Sequence, residues 1–475
     1  MDNPLISAIA LDLGTTSIKA ALMDQRGNLQ HVVAQPAPTI DMHHERYESN
    51  ALDYVEIAGQ VLKKCLIQTD NNPPLGLCSQ RSSFLIWDKT SGQPVIPLIS
   101  WQDNRGQSCC DRLHASTDTI HTLTGLRLTA YYFAPKLSVL LRENPAWRAR
   151  LVKGEWLTGT LDTFLIWRWT HGQHFLTDAS MAARTLLMDI HEQQWSAPLC
   201  KLFNIPHSIL PQIKPSIGLN LPLDNGMTLQ ASAGDQSAAL IASVTGNQTE
   251  ALVNLGTGGF VIRSLAKDTL AFDGYLQTLV YQDADHQAQF AIEGTLNSIA
   301  AALAPYHVND CCIADLATNN IFCLAELSGL GAPYFRNDWG IHFSQSISEL
   351  TLQQTTALML EAIIFRIARI LEDFHQQSPL TKVYLSGGLS ELPCLQQGIA
   401  QCVAFPVFHM QQKEASLQGI ALLASGIRMK DHQYAKKVEI KNGNHALFEK
   451  YQRWKNWLDA LLKTCKNSPN KIKKC

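Results

Sequence analysis

The chain has 475 residues, 39 basic against 41 acidic, for a formal net charge of −2. That balance gives no electrostatic footing for nucleic acid or an anionic membrane. With 46% apolar and 17% charged residues, the chain is no disordered polymer, and its length suits two or three domains.

Twelve cysteines are present, but none are spaced C-x-x-C. The pairs Cys109–Cys110 and Cys311–Cys312 are adjacent, so neither zinc-type spacing nor a disulfide framework is indicated. The opening MDNPLISAIALDLG has no positive region ahead of its apolar run and reads as a strand, not a signal peptide. No apolar stretch reaches membrane-spanning length. The expectation is a reduced, cytoplasmic protein without a membrane or nucleic-acid partner.

In chain order, Ser7–Leu13 reads as a strand. Gly14, Thr15 and Thr16 interrupt it, Ser17–Asp24 resumes it, and residues 25–28 turn the chain. Leu157–Thr170 reads as an apolar helix. A second strand–Gly-Thr–strand hairpin follows at Ala251–Leu255, Gly256–Gly259 and Phe260–Ser264. Aligning LDLGTT with VNLGTG sets Gly14 opposite Gly256, which suggests a duplicated architecture. Thr351–Gln376 is a long amphipathic helix, with Leu360, Ile363, Ile364, Ile367, Ile370, Leu371 and Phe374 on its apolar positions. Lys382–Leu385 is a strand ended by Ser386, Gly387 and Gly388, and Leu392–Phe405 is a helix. Trp454 and Trp457 are packing residues of a last helical segment, and Lys463–Lys474 is a basic, solvated terminus. Strands alternating with long helices make an α/β chain.

Glycines let backbone N–H groups approach a polyphosphate, and threonine hydroxyls can donate to its oxygens. LDLGTTSIK offers both, with Asp12 placed to hold a magnesium ion directly or through water. GTGG at 256–259 offers a second cradle. There is no Walker-type phosphate loop and no complete G-x-G-x-x-G. Asp235, in Ala233–Ser237 (AGDQS), lies upstream of the second hairpin. A carboxylate there can take the proton of an attacking hydroxyl in phosphoryl transfer.

Ten separated blocks, among them LDLGTTSIKA, SQRSSFLIWDKTSGQP, WQDNR, AYYFAPK, TDASMAARTLLMDI, AGDQSAAL, NLGTGGF and SGGLSELP, are similar to those of the FGGY carbohydrate kinases, and within them to the glycerol kinases. The resemblance runs from about residue 7 to about residue 428. It implies two actin-like (ribonuclease H-like) domains with a central interdomain cleft, divided as 1–244, 245–430 and a C-terminal segment 431–475. It implies ATP and Mg2+ as cofactors and a small polyol or sugar as substrate, and leaves a homo-oligomeric state open. Position by position, it assigns Asp235 as general base, also near the metal, and Asp12 to magnesium. Gly14, Thr15, Thr16 and Lys19 match the first phosphate loop, and Gly256, Thr257 and Gly258 the second. Gly387 and Gly388 match the adenosine-contacting pair. Arg81, Ser82, Trp101, Tyr131 and Gln236 match substrate positions, and Glu293 an acidic position ahead of the ATP-side helix.

Several positions depart from the glycerol-kinase pattern. Ser82 replaces a substrate-binding glutamate, so added space beside Arg81 and a substrate larger than glycerol are expected, the alternative being that a carboxylate elsewhere or a water replaces it and glycerol remains the substrate. Lys19 stands for an arginine. Leu389–Leu392 lacks the asparagine near the nucleotide, and Ala300 replaces a glycine. The run 217–233 has no arginine-bearing regulatory loop. Two other classes share the fold. A nucleotide-binding regulator or degenerate kinase would not need Asp235 as a base. An actin- or chaperone-like ATPase would not need Arg81, Trp101 and Tyr131.

Overall fold

The computed structural model describes residues 5–44, 46–69, 72–244, 246–266, 269–336, 338–411, 413–428, 435–440 and 445–466. The opening run folds as Ile6–Leu13 (β1) and Ser17–Asp24 (β2), antiparallel, with Asp12 opposite Lys19. Leu29–Pro36 (β3) extends the hairpin, and Leu75–Ser79 (β4) runs parallel to β1 on its other side. With Ile217–Pro222 (β5) and Thr228–Gly234 (β6) they make a six-stranded sheet in the order β5-β6-β4-β1-β2-β3.

The second half repeats the plan. Its strands are Glu250–Leu255 (β7), Gly259–Ser264 (β8), Leu276–Gln282 (β9), Ala288–Leu296 (β10), Lys382–Ser386 (β11), Val407–Met410 (β12) and Ala435–Lys437 (β13). Their order is β9-β10-β8-β7-β11-β12-β13. In each sheet the first strand has antiparallel strands on one side and two parallel strands on the other, closed by an antiparallel edge strand. The tips at Gly14–Thr16 and Gly256–Gly258 therefore hold the same topological position, which is the duplication that the two hairpins suggest.

Strand alternation sends the two faces of β1 into different cores. Ile9, Leu11 and Leu13 join a core with Tyr54, Ala58, Val61 and Leu62 of the helix Ala51–Leu66 (α1). Ala8 and Ala10 pack with Leu417, Ile420 and Ala421 of the helix Ala415–Ser425. The small side chains of this second face admit that helix closely. A Cβ on Gly76 would stand 2.5 Å from the Ile420 carbonyl oxygen, and one on Gly419 only 1.7 Å from that of Ala238. The chain thus crosses back from its second domain to seal the first domain's sheet.

Leu157–Thr170 does not form one helix. Trp156–Thr160 is a strand paired with Phe84–Asp88 in a separate five-stranded sheet, and only Leu161–Trp169 is helical. An apolar run buried all round carries no periodicity to tell the two apart. The long helix spans Leu352–Gln377 and starts at a capping box of Thr351 and Gln354. The following strand and helix are Lys382–Ser386 and Pro393–Cys402. Trp454 lies buried in the helix His445–Lys466, its indole donating to the Cys323 carbonyl at 3.0 Å. Most of the basic run 463–474 lies outside the described residues. No described helix is long and apolar enough to cross a membrane.

Candidate active site

The end of β1 presents Asp12. Its Oδ2 accepts the Ser416 hydroxyl at 2.6 Å, from just inside the helix Ala415–Ser425, while its Oδ1 is buried without a hydrogen-bond partner. Burial first, and the nearby Asp235 carboxylate next among the groups that raise it, push Asp12 up to about 6, against the Ser416 hydrogen bond. Across the hairpin, Lys19 pairs with Glu414 at 2.6 Å. Gly14 permits the tight tip, since a Cβ there would meet the Ser17 carbonyl oxygen at 2.7 Å. The Thr15 hydroxyl donates to Gln80 Oε1 at 3.3 Å and accepts from the Trp101 indole at 2.9 Å. Thr16 lies exposed beside it.

Asp235 opens the helix Asp235–Ser243 at the end of β6. Its Oδ1 accepts the Gln236 backbone N–H at 2.7 Å and faces Arg81 Nε at 3.6 Å. Its Oδ2 has no hydrogen bond to any described residue, and the side chain keeps 27% exposure. Burial raises its pKa, opposed chiefly by Arg81. Gly234 makes this approach possible, because a Cβ there would stand 2.8 Å from Arg81 Cδ. Gln236 Oε1 accepts from Asn254 at 3.3 Å, on the strand that leads to the second Gly-Thr tip.

That tip, Gly256–Gly258, is closed by Gly256 N–H to the Gly258 carbonyl at 2.9 Å. The Thr257 carbonyl accepts from Ala300 at 3.2 Å, at the helix Ile299–Leu303. Gly256 and Thr257 are exposed. Gly387 has φ +87°, and a Cβ on it would meet the Leu255 carbonyl oxygen at 2.5 Å and Asn254 Oδ1 at 2.6 Å. Gly387 and Gly388 are both exposed, and a Cβ on Gly388 would meet nothing within 4 Å. Behind them Ser390 bonds the Gly387 carbonyl at 2.7 Å, and Leu392 is buried in the core.

The wall opposite is aromatic. Trp101 and Tyr131 pack with ring centroids 5.4 Å apart, and Tyr131 meets Tyr132 edge-on at 5.0 Å. Ser82 departs from the expected placement beside Arg81. It adopts φ +65° and is 1% exposed, and its hydroxyl donates to the Arg184 carbonyl at 2.8 Å. The Ser82 hydroxyl is thus engaged by main chain and does not stand free beside Arg81. Lys136, fully buried, holds the loop from behind by donating to the carbonyls of Ser100 at 2.9 Å and Ser82 at 3.4 Å.

The structure therefore brings Asp12, Thr15, Arg81, Trp101, Tyr131, Asp235 and Gln236 together and leaves Ser82 out. It adds residues that the sequence reading did not single out. Gln80 and Asn254 lie against the two Gly-Thr hairpins, and Glu414 and Ser416 reach the first of these hairpins from some 400 positions away. Arg184 lay inside a matched block, TDASMAARTLLMDI, where a lone arginine in an alanine-rich run was the available signal. Its Nη1 stands 3.5 Å from Glu293 Oε2, so Glu293 sits on β10 facing the first domain's arginine. No described group of three His, Cys, Asp or Glu residues could cage a metal. Two carboxylates, one with an unpartnered buried oxygen, suit Mg2+, which keeps several waters and takes its other ligands from phosphates.

Two family models match: the N-terminal domain of the FGGY family of carbohydrate kinases over residues 7–231, and its C-terminal domain over residues 251–426. An apulose kinase of Pectobacterium atrosepticum is 30% identical over 495 residues, covering 96% of this chain and 98% of its own. A glycerol kinase of Saccharolobus islandicus is 30% identical over 440 residues, covering 88% and 87%. Among solved structures, Plasmodium falciparum glycerol kinase with ADP superposes with TM-score 0.83 at 22% identity, covering 98% of this chain and 99% of that one. A xylulose kinase from Brucella ovis does so with TM-score 0.83 at 21% identity, covering 96% and 99%. The likeness extends to both domains, each on the actin-like, ribonuclease H-like plan.

Proposed function

The chain belongs to the FGGY family of carbohydrate kinases, an ATP-dependent sugar or polyol kinase, and on that premise we propose that Asp235 is the general base for its phosphoryl transfer. One observation carries the assignment. Asp235 is a carboxylate whose Oδ1 is fixed by Gln236 and Arg81 and whose Oδ2 is left without a partner at the cleft.

A substrate hydroxyl against Oδ2 gives up its proton to Asp235 as its oxygen bonds to the γ-phosphorus and the bond to the β–γ bridging oxygen breaks, releasing ADP. Burial raises the proton affinity of Asp235, which suits it to take a proton, and the Arg81 guanidinium opposes that rise. The Trp101 and Tyr131 rings, tilted 56° to each other, offer an apolar face to the carbon chain, and Gln236 and Arg81 offer hydrogen bonds to its hydroxyls. On the other side, Gly14 and Thr15 with Thr257 and Gly258 bring backbone N–H groups to the phosphates. Gly387 and Gly388 leave room for the adenosine. Asp12, directly or through water, and Asp235 would hold Mg2+, which when bound neutralises phosphate charge.

The substrate is a small polyol or keto sugar. Relatives named apulose kinase and glycerol kinase bracket that class. The test is ADP release from ATP with glycerol, tetritols, pentitols and ketopentoses. A wild-type enzyme that turns over none of them refutes the substrate class.

A further inference from the structure

We infer that Lys19 is a positioning residue and not a phosphate ligand: with Glu414, Ser416 and Asp12 it forms a clasp by which the helix Ala415–Ser425 sets the first Gly-Thr hairpin for nucleotide. This deepens the kinase reading above and rests on it.

Strand alternation decides where Lys19 points. Asp12 on β1 and Lys19 on β2 are register partners, so their side chains share one face of the sheet. Ala8 and Ala10 of β1 and Ala21 and Met23 of β2 lie on that same face, in one core with Leu417, Ile420 and Ala421 of the helix. Asp12 and Lys19 are the polar end of this face, and they bracket the tip Gly14–Thr16. The helix begins there. Glu414 and Ser416 flank its first residue, Ala415. Lys19 Nζ donates to Glu414 Oε2 at 2.6 Å, and the Ser416 hydroxyl donates to Asp12 Oδ2 at 2.6 Å. Two side chains from one helix start thus grip the two opposite strands of the hairpin.

The clasp has a firm mount. Gly76 and Gly419 let the helix rest on bare backbone, since a Cβ on either would stand 2.5 Å or 1.7 Å from a carbonyl oxygen. Glu414 precedes the helix, yet its side chain caps none of the helix N–H groups. Its carboxylate serves Lys19 instead. The two side chains are 26% and 25% exposed, a setting in which an ion pair adds little to global stability. What the pair contributes is a fixed geometry. The hairpin lies in the stretch matched to the N-terminal family domain and the helix in that matched to the C-terminal one, so the clasp ties the two together at the phosphate end of the cleft.

The resemblance places Lys19 in the first phosphate loop. A lysine committed to Glu414 could serve a phosphate only by bringing that carboxylate close to the polyanion or by leaving it unpaired. Either sets like charges near one another. The two roles predict opposite signs for one substitution. If Lys19 binds phosphate, deleting Glu414 frees its ammonium and removes a repelling charge, and nucleotide binds more tightly. If Lys19 acts through the clasp, the same deletion loosens the hairpin, and nucleotide binds more weakly.

The test is calorimetric titration of the full-length protein with MgADP in the wild type, Glu414→Ala, Lys19→Met and the double variant Lys19→Met/Glu414→Ala. Each single variant should weaken binding roughly threefold to tenfold, the scale of a partly exposed ion pair. The double variant should be no weaker than the worse single one, because both remove the same contact. Ser416→Ala opens the other jaw and should weaken binding likewise, while Ser416→Thr keeps the hydroxyl and should restore it. MgADP binding that is tighter or unchanged in Glu414→Ala overturns the clasp and leaves the kinase reading standing. So do losses that simply add in the double variant. A wild type that binds no MgADP and turns over no polyol or keto sugar with ATP overturns both.

Discussion

The indole N–H of Trp101 donates to the Thr15 hydroxyl at 2.9 Å, so the aromatic wall of the proposed polyol site is hydrogen-bonded to the first Gly-Thr hairpin, the proposed phosphate loop. Thr15 in turn donates to Gln80, whose neighbour Arg81 faces Asp235. A disturbance on the polyol side should therefore be felt by the nucleotide. Trp101→Phe keeps an aromatic ring and removes the donor. One neutral hydrogen bond contributes about 0.5–1.5 kcal/mol. The variant should raise KM for ATP roughly twofold to tenfold as well as KM for the polyol, and steady-state kinetics with both substrates varied would show it. An unchanged ATP KM would mean that the bond does not couple the sites.

Asp235→Asn keeps the shape of the side chain and loses the base. Turnover should fall by roughly 10²–10⁴, the usual worth of a positioned general base. ADP affinity by calorimetry should change little, because the Gly-Thr loops are untouched. Near-full turnover in the variant would be incompatible with the assignment.

The two domains meet where the helix Ala415–Ser425 crosses the helix Asp235–Ser243, and Gly419 is the contact. A Cβ there would stand 1.7 Å from the Ala238 carbonyl oxygen. Gly419→Ala must push the helices apart, a kind of overpacking that costs about 1–3 kcal/mol. Since Glu414 and Ser416 just before it hold Lys19 and Asp12, the same shift loosens the first phosphate loop. The expected result is a lower first thermal transition together with weaker ATP binding. A related measurement follows the cleft itself. Saturating nucleotide and substrate should shrink the radius of gyration in small-angle scattering as the loops close on the phosphates, and an unchanged radius would speak against closure.

Lys136 predicts a pH effect on stability. Burial pushes its pKa down to about 7, with Asp103 opposing and Arg105 adding to the shift. A lysine unfolds to a value near 10.4. Between about pH 7 and 10 the unfolded chain thus binds more protons at this site than the folded one, and raising the pH stabilises the fold through this group, by up to about 1.4 kcal/mol per pH unit. Lys136→Met removes that dependence. The stability of the wild type relative to the variant should rise from pH 7 to pH 9.5, and urea titrations at the two ends would reveal a gap that instead stays constant or narrows.

Sequence alone determined the parts of this protein that are local in the chain. Each Gly-Thr tip is bounded by strand formers on both sides, so both hairpins and their duplication could be read directly. The long amphipathic helix at Leu352–Gln377 and the strand Lys382–Ser386 could be read in the same way. Resemblance then supplied roles for Asp12, Arg81, Trp101, Tyr131 and Asp235. The tertiary structure decided what depends on contacts between distant segments. Trp156–Thr160 is a strand because Phe84–Asp88 pairs with it, which an evenly apolar run cannot announce. Ser82 turns away from the cleft because its backbone sits at φ +65° under the Arg184 carbonyl, whereas substitution of a glutamate by serine reads only as lost volume. Ser416 on Asp12, Glu414 on Lys19 and Glu293 facing Arg184 join residues more than a hundred positions apart. Such pairs leave no pattern in one sequence, because hydrogen bonds and ion pairs depend on distance in space, and only the packing of two domains against one crossing helix fixes that distance.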